Sequence, residues 1–229
     1  MINHMLNILD AAFPLQELSC GEYARQKVSG MQFSIRRFYA KGLGNVSSMA
    51  ASGFFGLMKM NTLIITPTEK DMPLFSYDRV HAMGNDTLIF ELYNTLLSDT
   101  DLSSVQAVKE SAAALPEHDL GAHWYDSIKL AVSLSKKGKK AHTPAFDDCA
   151  RDYLQAFLTA AQNAAACEAA PKREKAAVYV EGLLKNGGPS TDVFKKGIGD
   201  EKTAQLFRNI LFASKVKTSG FACNTKKGL

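Results

Sequence analysis

MKMNTLIITPTEKDMPLFSYDRVHAMGNDTLIFELY, residues 58–93, sets apolar strands around a short loop. Leu63, Ile64 and Ile65 form a β-branched-rich run that ends at Pro67, where the missing N–H and fixed φ stop a sheet ladder. Pro73 sets a turn, after which Leu74, Phe75 and Tyr77 resume an apolar segment that carries one carboxyl residue, Asp78. Gly84-Asn85-Asp86 is a hairpin signal of the kind that favours positive φ. Beyond it Leu88, Phe90 and Leu92 alternate with Ile89, Glu91 and Tyr93, predicting a further strand with one helix-covered face.

Asp78 is where chemistry is expected. A carboxylate set among large apolar side chains loses hydration, which disfavours its charged form and raises its pKa. Such a group holds a proton near neutral pH and can hand it over. The alternative is a surface or turn aspartate satisfied by backbone N–H groups, and local sequence leaves both readings open. Arg79 and His81 stand close enough to tune it, although strand alternation sends such neighbours to either face.

On the N-terminal side, residues 2–13 read as a helix ended by Pro14, and FSIRRFYAKG as an extended segment with Phe33 and Ile35 on one side. Gly42, Gly44 and Asn45 supply a turn, and residues 46–51 and 58–66 read as strands joined at Gly53 to Gly56. On the C-terminal side, residues 101–115 predict a helix closed by Pro116. Ile128, Leu130, Val132 and Leu134 then alternate with more polar residues and predict a strand. Past Pro144 the period becomes helical, with Phe146, Cys149, Tyr153, Leu154 and Phe157 on one stripe running to about Ala169, where Pro171 interrupts. A shorter helix through Val180, Leu183 and Leu184 stops at Asn186-Gly187-Gly188-Pro189. Ser190 is placed to cap the next helix, and Leu206, Phe207, Ile210 and Leu211 stripe the last. Strands first and helices after describe an α+β chain, most simply a mostly antiparallel central sheet with helices on both faces. The chain reads as one domain over residues 1–229 with a basic tail from about 215.

The composition, 46% hydrophobic and 22% charged over 229 residues, is that of an ordinary globular protein. No apolar run approaches the roughly 20 residues that span a bilayer, and the N-terminus lacks a basic region followed by a small-residue cleavage site, so the expectation is a cytoplasmic protein without a membrane partner. Cys20, Cys149, Cys167 and Cys223 are widely separated, the five histidines form no metal-binding spacing, and neither a dinucleotide fingerprint nor a phosphate loop is present. Four free thiols, no metal and no nucleotide of the common kinds are expected. The net charge of +4 gathers at Lys136, Lys137, Lys139 and Lys140 and again at Lys215, Lys217, Lys226 and Lys227. Such patches steer acidic partners or are simply solvated loops. Nucleic acid is not expected, because no aromatic residues interleave with the lysines.

The order of strand, Thr66-Pro67, a short polar loop, MPLF, two residues and Asp78 resembles the ferredoxin-dependent bilin reductases, which reduce linear tetrapyrroles. The likeness continues in WYDSIKLAVSLSKK from Trp124 and in FKKGIGDEKTAQLFRNILF, residues 194–212, and spans roughly residues 45–215. Red chlorophyll catabolite reductase, of the same fold, is a more distant match. The resemblance implies a three-layer α/β/α sandwich with its ligand between the sheet and the C-terminal helices. It also implies no tightly bound cofactor, an external ferredoxin or flavodoxin as the acidic electron carrier, and Asp78 as proton donor to a linear tetrapyrrole. Where the best studied branch has a histidine on the strand entering the loop, this chain has Thr62, and where that branch has a His and Glu pair, it has Ser48 and Ala50. A second acidic position of the family falls at Gly187-Gly188. Ser48 and Thr62 can donate hydrogen bonds to a pyrrole carbonyl but cannot serve as acids near pH 7. With His81, and with Lys136 as a point charge for a propionate, they complete the expected substrate contacts. The alternative function is a non-catalytic protein that binds a tetrapyrrole or another hydrophobic ligand in the same pocket. A third, an interaction protein with a filled core, would have no pocket at all.

Overall fold

The computed structural model describes residues 2–215. Its centre is an eight-stranded sheet in which every neighbouring pair is antiparallel. The strands are β1 (Leu15–Leu18), β2 (Arg25–Val28), β3 (Met31–Ala40), β4 (Gly44–Gly53), β5 (Met58–Pro67), β6 (Leu74–Ala82), β7 (Asn85–Tyr93) and β8 (Leu134–Lys139). They run in the order β1-β3-β4-β5-β6-β7-β8, with β2 beside β1 on the same edge of β3. Ile64 and Ile65 are both buried because both faces of the sheet are covered, so β5 reads as a continuous apolar run.

One face packs on α1 (Ile2–Ala12), α2 (Ser103–Ser111) and α3 (Thr143–Asn163), where Leu63, Phe75, Tyr77, Phe90 and Leu92 meet Leu9, Val105, Phe146, Tyr153 and Phe157. The Phe90 and Tyr153 rings stack at 4.0 Å. The other face carries Phe33, Ile35, Met49, Ile64 and Tyr93 and packs on α4 (Ala169–Asn186), α5 (Pro189–Ile198) and α6 (Asp200–Gln205), which runs on into a π-helical turn, Leu206–Leu211. This is the expected three-layer sandwich. Burying side chains such as Phe90 or Phe207 contributes roughly 1.5–3 kcal/mol each. None of the described helices is long and apolar enough to cross a membrane.

The β6–β7 hairpin is present, but its two turn residues are Met83 and Gly84, with φ of 50° and 74°. Asn85 and Asp86 are already in the strand, and Asp86 is buried against Arg79 at 2.6 Å. That pair reaches the start of α3 through Thr143, whose hydroxyl donates to Asp86 at 2.7 Å.

Three expectations need correction. The alternation at residues 128–134 does not make a strand; Ile128 ends a short 3-10 turn, Lys129 makes an isolated bridge to Tyr93, and continuous pairing with β7 begins at Leu134. Ladder bonds hold only its start, with Asn94 N–H donating to the Ile128 carbonyl at 2.7 Å and Leu130 N–H to that of Leu92 at 2.8 Å; beyond it Tyr153 donates to the Val132 carbonyl at 3.0 Å and Lys109 to that of Ala131. The real strand runs through the lysines, a composition suited to a sheet edge. Second, α3 stops at Asn163, because Lys70 donates to the Ala164 carbonyl at 2.7 Å and Asp71 N–H to that of Ala165 at 2.9 Å. Pro171 lies in the first turn of α4, where it costs no hydrogen bond. Third, Gly188 rather than Ser190 precedes α5. Cys149 is buried as expected, whereas Cys167 is half-buried in the α3–α4 connection; Cys20, Cys149 and Cys167 are free thiols. Cys223 and most of the basic tail lie outside the described residues.

Candidate active site

A cavity of about 220 Å³ lies between the sheet and the C-terminal helices. Its floor is built by alternation on three strands: Met60, Thr62 and Ile64 of β5, Ser76, Asp78 and Val80 of β6, and Ile89, Glu91 and Tyr93 of β7. The register sets Thr62, Asp78 and Ile89 in one row and Ile64, Ser76 and Glu91 in the next. The roof comes from Tyr179 and Leu183 of α4, the start of α5, and Phe207 and Leu211 of the π-turn. Asn45 and Ser47 of β4 fix that turn by donating to the Leu211 carbonyl at 3.2 and 2.8 Å.

The wall at one end is the segment before residue 126. Trp124 donates from its indole to the Gly187 carbonyl at 3.1 Å, and its ring lies where a Cβ on Gly182 would come within 2.2 Å. Only glycine admits that approach, so Trp124 braces α4 and holds Tyr125 and His123 against the cavity. Tyr125 meets the Tyr93 ring edge-on at 5.5 Å, Tyr93 stacks on Tyr179 at 4.1 Å, and His123 stacks on Tyr125 at 4.8 Å. The His123 Nδ1 atom is buried and finds no hydrogen-bond partner among the described residues.

Two carboxyl groups share this space. Burial pushes the Asp78 carboxyl up to about 6; the Glu91 charge adds to the rise and the Thr62 hydroxyl, which donates to Asp78, opposes it. Asp78 retains some accessible surface, but the surface it presents is the cavity wall, so the desolvation is consistent with its exposure. Glu91 accepts from the Tyr93 hydroxyl at 2.6 Å, while its other oxygen is buried without a hydrogen bond and has Lys129 at 3.6 Å from the rim. Burial raises the Tyr93 and Tyr179 phenols well above their usual range, so both remain proton donors. A protonated acid beside a cavity walled by flat rings can pass a proton to a bound conjugated ligand.

The structure brings Asp78 and Thr62 together and separates them from the other expected contacts. Ser48 is buried on the opposite face with Val46. His81 also faces away, its Nδ1 3.3 Å from Asp86. Lys136 points into the α3 side, where its ammonium meets the Leu115 carbonyl at 3.2 Å and the Glu117 carboxylate. The physical reason is the period of two: each lies on the strand face turned from the cavity. Glu91 was missed, although a signal existed. A two-residue turn always opposes even-numbered residues with odd-numbered ones, so Asp78 and Glu91 share a face wherever between residues 82 and 87 that turn falls. His123, Tyr125 and Tyr179 come from remote segments and have no local signal.

No family model matches the chain, and no curated protein matches it. Among solved structures, phytochromobilin synthase from tomato, crystallised in complex with biliverdin, superposes with a TM-score of 0.76 over 93% of this chain and 82% of that one. The two share a fold. Their sequence identity is 15%.

Proposed function

We infer that the protein binds a linear tetrapyrrole, or a similar conjugated ligand, in this cavity and reduces it with electrons from an external one-electron carrier, Asp78 supplying a proton. The observation that carries this reading is a carboxyl group poised near pH 6 on the wall of a cavity lined by aromatic rings. The fold shared with a protein crystallised with biliverdin supports the ligand class.

Saturating one double bond takes two electrons and two protons. Each electron arrives singly and leaves negative charge on the ligand, which is costly in a dry site unless a proton accompanies it. Protonated Asp78 gives the first proton, and the carboxylate left behind accepts the Thr62 hydroxyl. The second proton enters from solvent at the rim, where the Glu91 carboxylate, which accepts from the Tyr93 hydroxyl and has Lys129 beside it, is placed to relay it. The redox centre belongs to the carrier, an acidic ferredoxin or flavodoxin to which a net charge of +4 is complementary.

A second reading rests on the size and charge of the cavity. Its volume falls below the roughly 300–1,000 Å³ of typical ligand sites, and its lining holds two carboxyl residues and no lysine or arginine. A full tetrapyrrole requires wall side chains to move, and its propionates have to stay outside; a smaller uncharged hydrophobic ligand, bound without turnover, fits as it stands.

Titration with biliverdin tests the ligand class first: binding red-shifts or sharpens the visible spectrum. Reduced ferredoxin then consumes the bound bilin in the wild type, and Asp78→Asn blocks consumption more than binding. Absence of a spectral change with every bilin tried sinks the tetrapyrrole assignment and favours the smaller ligand, and binding without product makes the protein a non-catalytic tetrapyrrole carrier.

A further inference from the structure

At one end of the sheet two adjacent hairpin tips expose large apolar side chains. In the β4–β5 tip Phe54 is 60% exposed, Phe55 is fully exposed and Leu57 is 69% exposed, while Met83 in the β6–β7 tip is 89% exposed. Four of the six exposed large hydrophobic residues among those described therefore sit on two tips, which the Met58–Ala82 pairing places side by side. Phe54, Phe55 and Met83 all have positive φ, at 51°, 55° and 50°, a backbone that bulky residues rarely adopt. No packing inside the protein repays that conformation, since the side chains point into solvent.

The flanks of the tips are basic. Lys59 follows the first tip on β5, Lys27 precedes the β2–β3 turn beside it, and Lys139 and Lys140 end β8 next to the second; all four are exposed. The acid nearest by register, Asp86, is buried and paired with Arg79. Apolar side chains on a convex tip, ringed by exposed cations, match the two demands of a bilayer interface: a deformable apolar layer below and anionic headgroups around. A preformed protein partner would need a separate socket for each protruding side chain.

We propose that this end of the sheet docks peripherally on an anionic lipid surface, inserting Phe54, Phe55, Leu57 and Met83 while the surrounding lysines meet the headgroups. The docking is independent of what the cavity holds. It lies on the membrane surface rather than across it, so it needs no long apolar helix.

Co-flotation of the full chain with phosphatidylcholine vesicles, with and without phosphatidylserine, tests it. The wild type floats with the anionic vesicles at low salt and is released as salt rises. The double variant Phe54→Ser, Phe55→Ser loses about tenfold or more in partitioning, its fold checked by circular dichroism. A second variant, Phe55→Trp, reports insertion directly: its emission shifts to the blue on anionic vesicles, beyond any change from the native Trp124. Failure of the wild type to bind anionic vesicles, equal binding by the double variant, or an unshifted Phe55→Trp emission would each overturn the proposal. Retention by an acidic protein without vesicle binding would do the same.

Discussion

Thr62 stands directly across the β5–β6 ladder from Asp78 and donates its hydroxyl to that carboxyl group. The bond favours the ionised acid, burial and the Glu91 charge favour the neutral one, and burial wins. The balance leaves a proton that can be given up near pH 6, and each contributor can be removed separately.

Thr62→Val removes the donor and keeps the shape. The Asp78 pKa rises, and the limb of the rate–pH profile on which activity falls with rising pH moves upward by up to about one unit. Steady-state rates across pH check this, and an unmoved limb would mean that Asp78 is not the group titrating.

Asp78→Asn separates function from stability. Turnover falls by about 10²–10⁴-fold, while bilin affinity, read from the visible spectrum, changes little. The variant is also more stable at neutral pH. Between the ordinary value of 3.8 and about 6, folded Asp78 keeps a proton that the unfolded chain has released, so the wild type loses stability as pH rises through that window. Removing the acid removes that loss, of order 1–3 kcal/mol, which appears as a higher thermal midpoint at pH 7 than at pH 4 relative to wild type.

Glu91→Gln withdraws a negative charge from the cavity. The Asp78 pKa then falls, shifting the same limb toward lower pH, opposite in sign to Thr62→Val. With the relay for the second proton gone, turnover at neutral pH slows by about tenfold or more. A variant that matches wild type in both rate and profile would remove Glu91 from the mechanism.

Lys172→Ala tests the buried pair that ties α4 to the β5–β6 loop. The ammonium lies 3.2 Å from Asp71 and 2.7 Å from the carbonyls of Met72 and Thr95, all of them out of solvent. Its loss leaves a buried carboxylate without its countercharge and costs about 3–5 kcal/mol in urea unfolding. Burial pushes the Asp71 carboxyl up, but the Leu97 N–H, the Ser98 hydroxyl and Lys172 outweigh it and hold it below its usual value. The wild type therefore keeps this contribution at neutral pH and loses it as pH falls through the depressed Asp71 value.

Ser48→Ala and His81→Ala serve as controls for the site's location. Both side chains lie on the sheet face turned from the cavity, so bilin affinity stays within about twofold of wild type. A large loss in either would place the ligand elsewhere.

Much of the sheet was legible because its signals are local. Pro67, Pro73 and the apolar runs around them delimit β5 and β6, and the alternation of Leu88, Phe90 and Leu92 marks β7. The alternation from Ile128 to Leu134 misled because period two reports which side chains are apolar, not where the backbone finds its hydrogen bonds. At Val132 and Ala131, Tyr153 and Lys109, distant in sequence, take the carbonyls that a continued ladder would use.

Residue type and spacing within about ten positions of chain are enough for most of the strand and helix segments, the α+β class and an apolar segment carrying Asp78, while they leave the burial of that acid open. Which face of each strand meets the cavity came from packing between distant segments, which turns Ser48, His81 and Lys136 away while bringing Glu91, Tyr93, Tyr125 and Tyr179 to it. The reason is that a site is a sum of register, helix placement and loop packing. A shift of one residue in any strand turns every side chain on it to the other face.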